Sequence, residues 1–205
     1  MKRTLFVGIC LFTALFISLG IAGKSSAYGI GFDDLSDLDP VTNQYNALYG
    51  VDFSGATVLT AGISLNDFEF PPLSGTNVVF DDGGAIRVTF NSPVLNAGGY
   101  LTYMTPVTLT AYDSLFNVLS TVSSAYSSNM ALSGDTGSSP NEFLQVAFAG
   151  GITYLDIAGY SVGSSFVLDD FTATPEVVSA VPEPSSLLLL LPGLAGLWGL
   201  RRRLH

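Results

Sequence analysis

Val107-Thr108-Leu109-Thr110-Ala111-Tyr112 alternates apolar and polar positions, and that alternation decides the fold class. Successive side chains of a strand point to opposite faces, so Val107, Leu109 and Ala111 share one side. Ala85-Ile86-Arg87-Val88-Thr89-Phe90 repeats the pattern, with Ile86, Val88 and Phe90 on the apolar side. A period of two with one wet face predicts strands of an antiparallel sheet. Outward from these, short β-branched and aromatic runs at 30–33, 51–59, 78–80, 99–104, 118–126, 143–149, 154–159 and 166–172 are separated by Gly, Asn, Asp, Ser and Pro. Asp82-Gly83-Gly84 and Asn96-Ala97-Gly98-Gly99 read as turns, because glycine takes positive φ without strain, and 133–141 reads as a surface loop. No amphipathic helix interrupts. The expected class is all-β, an antiparallel β-sandwich over residues 28–178.

Both ends depart from this rhythm. Lys2 and Arg3 precede an apolar stretch at 5–21, and Ser25-Ser26-Ala27 supplies the small residues a signal peptidase reads. Residues 1–27 are therefore expected to be a helical signal peptide, cut after Ala27. At the other end, 179–205, Val181-Pro182-Glu183-Pro184-Ser185-Ser186 leads into an apolar run at 187–200 and then Arg201-Arg202-Arg203. As a helix this run spans roughly 21 Å, against roughly 30 Å of hydrocarbon. The arginines should stay cytoplasmic as a membrane stop, which leaves the proline segment on the far face. Pro182 and Pro184 keep their preceding residues extended and open to a protease, and Pro192 weakens the helix.

This tail resembles the PEP-CTERM sorting signal of Gram-negative bacteria. The resemblance implies that exosortase is the processing partner, with Val181, Pro182, Glu183 and Pro184 as the motif. It further implies transient inner-membrane anchoring, then release or attachment at the cell surface, in association with extracellular polysaccharide. A second resemblance concerns the domain. Val107–Asp113, Asn117–Val122, Phe143–Phe148 with Tyr154–Ile157, and Phe166–Phe171 follow an order similar to that of galactose-binding-like jelly rolls. It implies that Asp169-Asp170 on the last strand closes against Phe32-Asp33-Asp34 near the first.

Charge restricts function further. Between the two end segments Arg87 is the sole basic residue, against sixteen acids, for a net charge near −15. Such a field repels nucleic acid and anionic membranes and attracts cations. Cys10 lies in the leader and His205 in the tail, so the domain has no thiol nucleophile, Ser-His-Asp triad or His/Cys zinc site.

Three groups remain as candidates. Asp33, Asp34, Asp169 and Asp170 are the candidate calcium set, one acid from each pair sharing a structural site, since calcium takes hard oxygen ligands; solvated turn acids fit the same pattern. Tyr45, Tyr49, Tyr100, Tyr103 and Tyr126 flank turns, where rings either stack on a sugar or pack. Arg87 is expected to pair with a nearby acid, Asp81 and Asp82 being close in sequence. The expected function is a non-enzymatic structural or carbohydrate-binding surface protein. The alternative is a small glycoside hydrolase, which requires two carboxyl groups about 5–10 Å apart in a cleft.

Overall fold

A computed structural model describes residues 26–176. Most of the expected signal peptide, the motif at 181–186, the apolar run and Arg201–Arg203 lie outside the described residues. Among the described residues ten strands and one short helix follow in order: β1 Tyr28–Ile30, β2 Pro40–Val41, α1 Asn46–Tyr49, β3 Val51–Ser54, β4 Ala56–Thr60, β5 Asn77–Asp81, β6 Ile86–Tyr103, β7 Thr108–Tyr112, β8 Val118–Ser123, β9 Glu142–Ala158 and β10 Phe166–Pro175. No described helix is long and apolar enough to cross a membrane.

The strands form one antiparallel sheet in the order β2-β4-β5-β10-β6-β9-β7-β8, with β1 added to β10 and β3 to β6. The two long strands organise it. The first part of β6 pairs with β3 and the C-terminal part of β9 (Val88 opposite Phe53 and Leu155), while its last part pairs with β10 and the start of β9 (Leu101 opposite Leu168 and Glu142). Between these parts the β6–β9 register shifts twice, around Val94. Such irregularities bend strands, and here the two halves of the sheet enclose one core. Phe53 of β3 meets Phe171 of β10 edge to face at 5.3 Å, and Phe90 of β6 stacks on it at 6.4 Å, although β3 and β10 are not sheet neighbours.

The alternation read from the sequence holds. Val107, Leu109, Ala111, Ile86, Val88 and Phe90 are all buried in that core, and the interleaved positions are not. Four expectations need correction. Residues 96–99 are not a turn but the middle of β6, which joins the expected strands at 85–90 and 99–104. The glycines serve close approach: a Cβ at Gly98 would overlap the Leu144 carbonyl oxygen and lie 2.6 Å from Gln145 Cα. The runs at 143–149 and 154–159 are likewise one strand, β9. The expected strand at 51–59 is split at Gly55, whose φ is +70°, and the first strand ends at Ile30 rather than Asp33 because the backbone turns left-handed at Phe32 (φ 64°). Asp82-Gly83-Gly84 is a turn as read, and the chain from 133 to 141 carries no strand.

Two buried polar side chains tie the loops at one end of the sheet. Asn129 accepts from the Tyr103 N–H at 2.6 Å and donates to the carbonyls of Leu101 (2.9 Å) and Ser139 (3.1 Å). Asp81 accepts from the Ser165 N–H and hydroxyl, both at 2.7 Å, and from the Phe166 N–H at 3.0 Å. Buried polar groups satisfied in this way stabilise, whereas removing a partner costs about 1–3 kcal/mol. At the opposite end the chain enters and leaves side by side. Tyr28 lies opposite Ala173, and Pro175 lies opposite Val94.

Candidate functional site

The four aspartates expected to hold calcium sit near one another but are used in other ways. Asp33 Oδ1 accepts from the N–H groups of Thr76 (2.7 Å) and Asn77 (3.0 Å), and Asp34 accepts from the Tyr45 hydroxyl at 2.6 Å. Asp169 Oδ2 accepts from the N–H groups of Leu73 (2.7 Å) and Ser74 (3.1 Å), and Asp170 Oδ1 from the Ser74 hydroxyl at 3.0 Å. Burial pushes the Asp169 carboxyl up to about 6. Asp33 and Asp170 flank Gly31, where an added Cβ would lie 3.4 and 3.2 Å from their oxygens. One acid from each pair does converge, yet no point among the described residues is approached by three carboxylates or other charged ligands. Asp33 and Asp169 anchor the 73–77 segment through its own N–H groups, and Asp170 adds the Ser74 hydroxyl. Two carboxylates offer at most four of the six to eight oxygens calcium takes, so an ion held there would need backbone carbonyls or water for the rest.

The five tyrosines singled out mostly pack. Tyr103 is fully buried and donates to Glu142, and Tyr45 is buried, its hydroxyl driven upward by burial first and by Asp34 second. Tyr49 stacks on Tyr28 at 4.8 Å, Tyr100 packs on Phe143 at 5.0 Å, and the half-exposed Tyr126 donates to the Gly137 carbonyl at 2.9 Å. Tyr45, Tyr49, Asp34, Gln44, Leu48 and Gly31 line a shallow cleft of about 210 Å³ beside β1. Asp34 is its only acid. The two-carboxylate arrangement of a glycosidase is therefore not found there.

Arg87 pairs with an acid, but not with Asp81 or Asp82. Asp81 is buried against Ser165, and Asp82 accepts from the Thr57 hydroxyl at 2.9 Å. The β6–β9 register sets Arg87 opposite Asp156, and the guanidinium grips that carboxylate through Nε and Nη2, both at 2.7 Å. The same register places Tyr154 opposite Thr89, and β7 places Tyr112 opposite Tyr154, all on the outer face of this half of the sheet.

A further side chain completes this face. The β7–β8 turn is wound by Asp113, whose Oδ1 accepts from the N–H groups of Leu115 (2.8 Å) and Asn117 (2.9 Å) and whose Oδ2 accepts from the Asn117 side chain (2.8 Å). Those bonds, the Asn117 side chain's first, hold the Asp113 carboxyl below its ordinary value. The turn puts Phe116 at φ 61°, a left-handed conformation costing a non-glycine residue about 1–2 kcal/mol. Its ring lies flat on Tyr154, with centroids 4.4 Å apart and planes 9° apart, tilts against Tyr112 at 6.3 Å, and has the Arg87 guanidinium carbon 5.3 Å from its centroid. Phe116 remains 50% exposed. Tyr112, Phe116 and Tyr154 were not among the residues the sequence singled out. The available signal was one aromatic on the wet face of each of two strands, Tyr112 and Tyr154, where a polar residue is the rule.

No sequence family and no curated protein matches this chain. Among solved structures it is similar to the K2 cleaved adhesin domain of Lys-gingipain, at 14% identity and a TM-score of 0.44, over 73% of this chain and 99% of that one. A DUF4465 family protein from Bacteroides caccae is similar at 12% identity and a TM-score of 0.44, over 76% and 95%. A family 29 carbohydrate-binding module complexed with mannohexaose is similar at 11% identity and a TM-score of 0.37, over 74% and 93%. These are distant likenesses between all-β domains, and no ligand is carried over from them.

Proposed function

We propose that this is an exported, exosortase-processed protein of the cell surface or extracellular space of a Gram-negative bacterium, with a galactose-binding-like jelly-roll domain. Its role is non-enzymatic, as a structural or carbohydrate-binding component of extracellular polysaccharide. Signal peptidase and exosortase are its partners during export. The observation that supports this best is the placement of the chain's entry and exit. Before cleavage the exported chain is held at both ends, and Tyr28 and Ala173, cross-strand neighbours at one end of the sheet, let both connections leave the domain together. The first strand also begins at Tyr28, immediately after the expected cut, so cleavage there removes nothing from the sheet. The test is the intact mass of the protein recovered from the surface or medium of its host. A chain beginning at Tyr28 and lacking residues 187–205 is expected. A surface form that still carries His205 would refute exosortase processing and leave a plain C-terminal anchor.

A further inference from the structure

The aromatic group on the outer face of β6, β9 and β7 carries the argument furthest. We propose that this face binds an uncharged polysaccharide, with the exposed part of the Phe116 ring as the stacking platform and Arg87 and Asp156 as the groups that hydrogen-bond the sugar hydroxyls. The inference rests on the reading above that the protein works among extracellular polysaccharides.

Phe116 is not a core residue that failed to find cover. It is held out of the core by a turn that Asp113 winds through three hydrogen bonds, in a backbone conformation a phenylalanine adopts only at a cost. Its ring lies parallel on Tyr154 with the Arg87 guanidinium over it, and Arg87 is itself held by a two-pronged bond to Asp156. Each layer rests on the one beneath. Tyr154 and Asp156 alternate on β9, Arg87 sits across from Asp156, and Phe116 lies against Tyr154 and Arg87 with half of its surface left to water. The result is a flat apolar surface rimmed by an arginine and an aspartate that are paired with each other. A pyranose presents the complementary surface, with C–H groups on its faces and hydroxyls around its edge. Thr89 and Thr110, opposite Tyr154 and Asp156 on the neighbouring strands, extend the polar rim.

Charge decides the class of sugar. Sixteen acids stand against one arginine between residues 28 and 180, and that arginine is already neutralised by Asp156. A uronate or sulfated polymer would meet repulsion with no free cation to offset it among the described residues. A neutral glycan meets none.

The test uses the secreted protein purified from its host, in affinity electrophoresis against glucomannan, mixed-linkage β-glucan and amylopectin, with alginate as the anionic probe. Retardation by at least one neutral polymer and none by alginate is expected. Phe116→Gly should weaken that binding at least tenfold while the melting temperature holds or rises, since glycine takes the left-handed turn without strain. Phe116→Trp should retain binding, and Phe68→Ala, at an exposed loop position outside this face, should leave it unchanged. Failure of all three neutral polymers to retard the protein overturns the proposal. So does equal retardation by alginate, or wild-type binding by Phe116→Gly. Self-association that Phe116→Gly abolishes without any glycan binding would make this face a protein contact instead, and would also overturn it. Binding through Phe116 by a chain that keeps His205 would sink the sorting reading and support this one; a correctly trimmed chain that binds no neutral polymer would do the reverse.

Discussion

Lowering the pH from 7.5 to 5.0 is expected to stabilise the domain, and Asp169 is the main reason. It is 1% exposed and accepts three backbone N–H bonds, from Leu73, Ser74 and Asp170, yet desolvation outweighs them and raises its carboxyl from 3.8 to about 6. Because the folded chain holds this proton more tightly than the unfolded one, the group's stabilising contribution is fully present in acid. It is lost as the pH climbs from about 4 through about 6 and stays lost above. At 1.36 kcal/mol for each decade of proton affinity, the full displacement comes to roughly 3 kcal/mol, of which about 1.4 kcal/mol returns by pH 5.0. For about 150 residues that is a rise of roughly 3–6 °C in melting temperature. Asp81, raised by burial in the same direction, and relief of the acidic field add with the same sign. Asp169→Asn isolates the term, since it removes the titration whatever it does to stability at neutral pH. Calorimetric melting of both proteins from pH 7.5 to 5.0 at constant ionic strength should give a rise smaller by roughly 3–6 °C in the variant. Parallel pH profiles for wild type and variant, or a wild-type melting temperature that falls toward pH 5.0, would refute the reasoning.

Gly98→Ala should destabilise by at least about 2 kcal/mol in urea unfolding, because the added methyl meets the β9 backbone, which cannot move aside as a side chain can; a change within 0.5 kcal/mol, the usual range for surface substitutions, would show that β6 and β9 do not approach so closely there. Calcium should raise the melting temperature no more than magnesium or sodium chloride at equal ionic strength, since Asp33, Asp34, Asp169 and Asp170 already accept N–H and O–H donors. A calcium-specific rise abolished by Asp33→Asn and Asp170→Asn would instead establish a site on the pair flanking Gly31.

What was legible in the sequence was local. Alternation marks which face of a strand is buried because a pleated strand has a period of two whatever its partners are, and so Val107, Leu109 and Ala111 were placed correctly without any knowledge of the sheet. Glycine was misread where its use was not local. At Asp82-Gly83-Gly84 both glycines take positive φ, which is turn chemistry. At Gly98 φ is ordinary, and the missing side chain serves the backbone of Leu144, 46 residues away in sequence, while at Gly99 it makes room for Leu168 and the β10 backbone still further on, distances no window on the sequence covers.

The same distinction governs the candidate sites. Arg87 was expected to find a close acid in sequence, but a cross-strand partner is chosen by register, and the register of β6 against β9 places the acid 69 residues on. The four aspartates were read as a ligand set because carboxylates repel unless something neutralises them. That premise holds, and backbone N–H groups of residues 73–77 supply much of the neutralisation. Phe116 escaped notice for a related reason. In sequence it is one apolar residue in a turn, and only the Asp113 bonds that wind the turn, together with the pairing that sets Tyr154 beneath it, make it a surface. A domain with one cation and no histidine, cysteine or tryptophan between residues 28 and 180 has few ways to hold a ligand. Stacking an exposed ring on a supported ring is one that needs none of those residues.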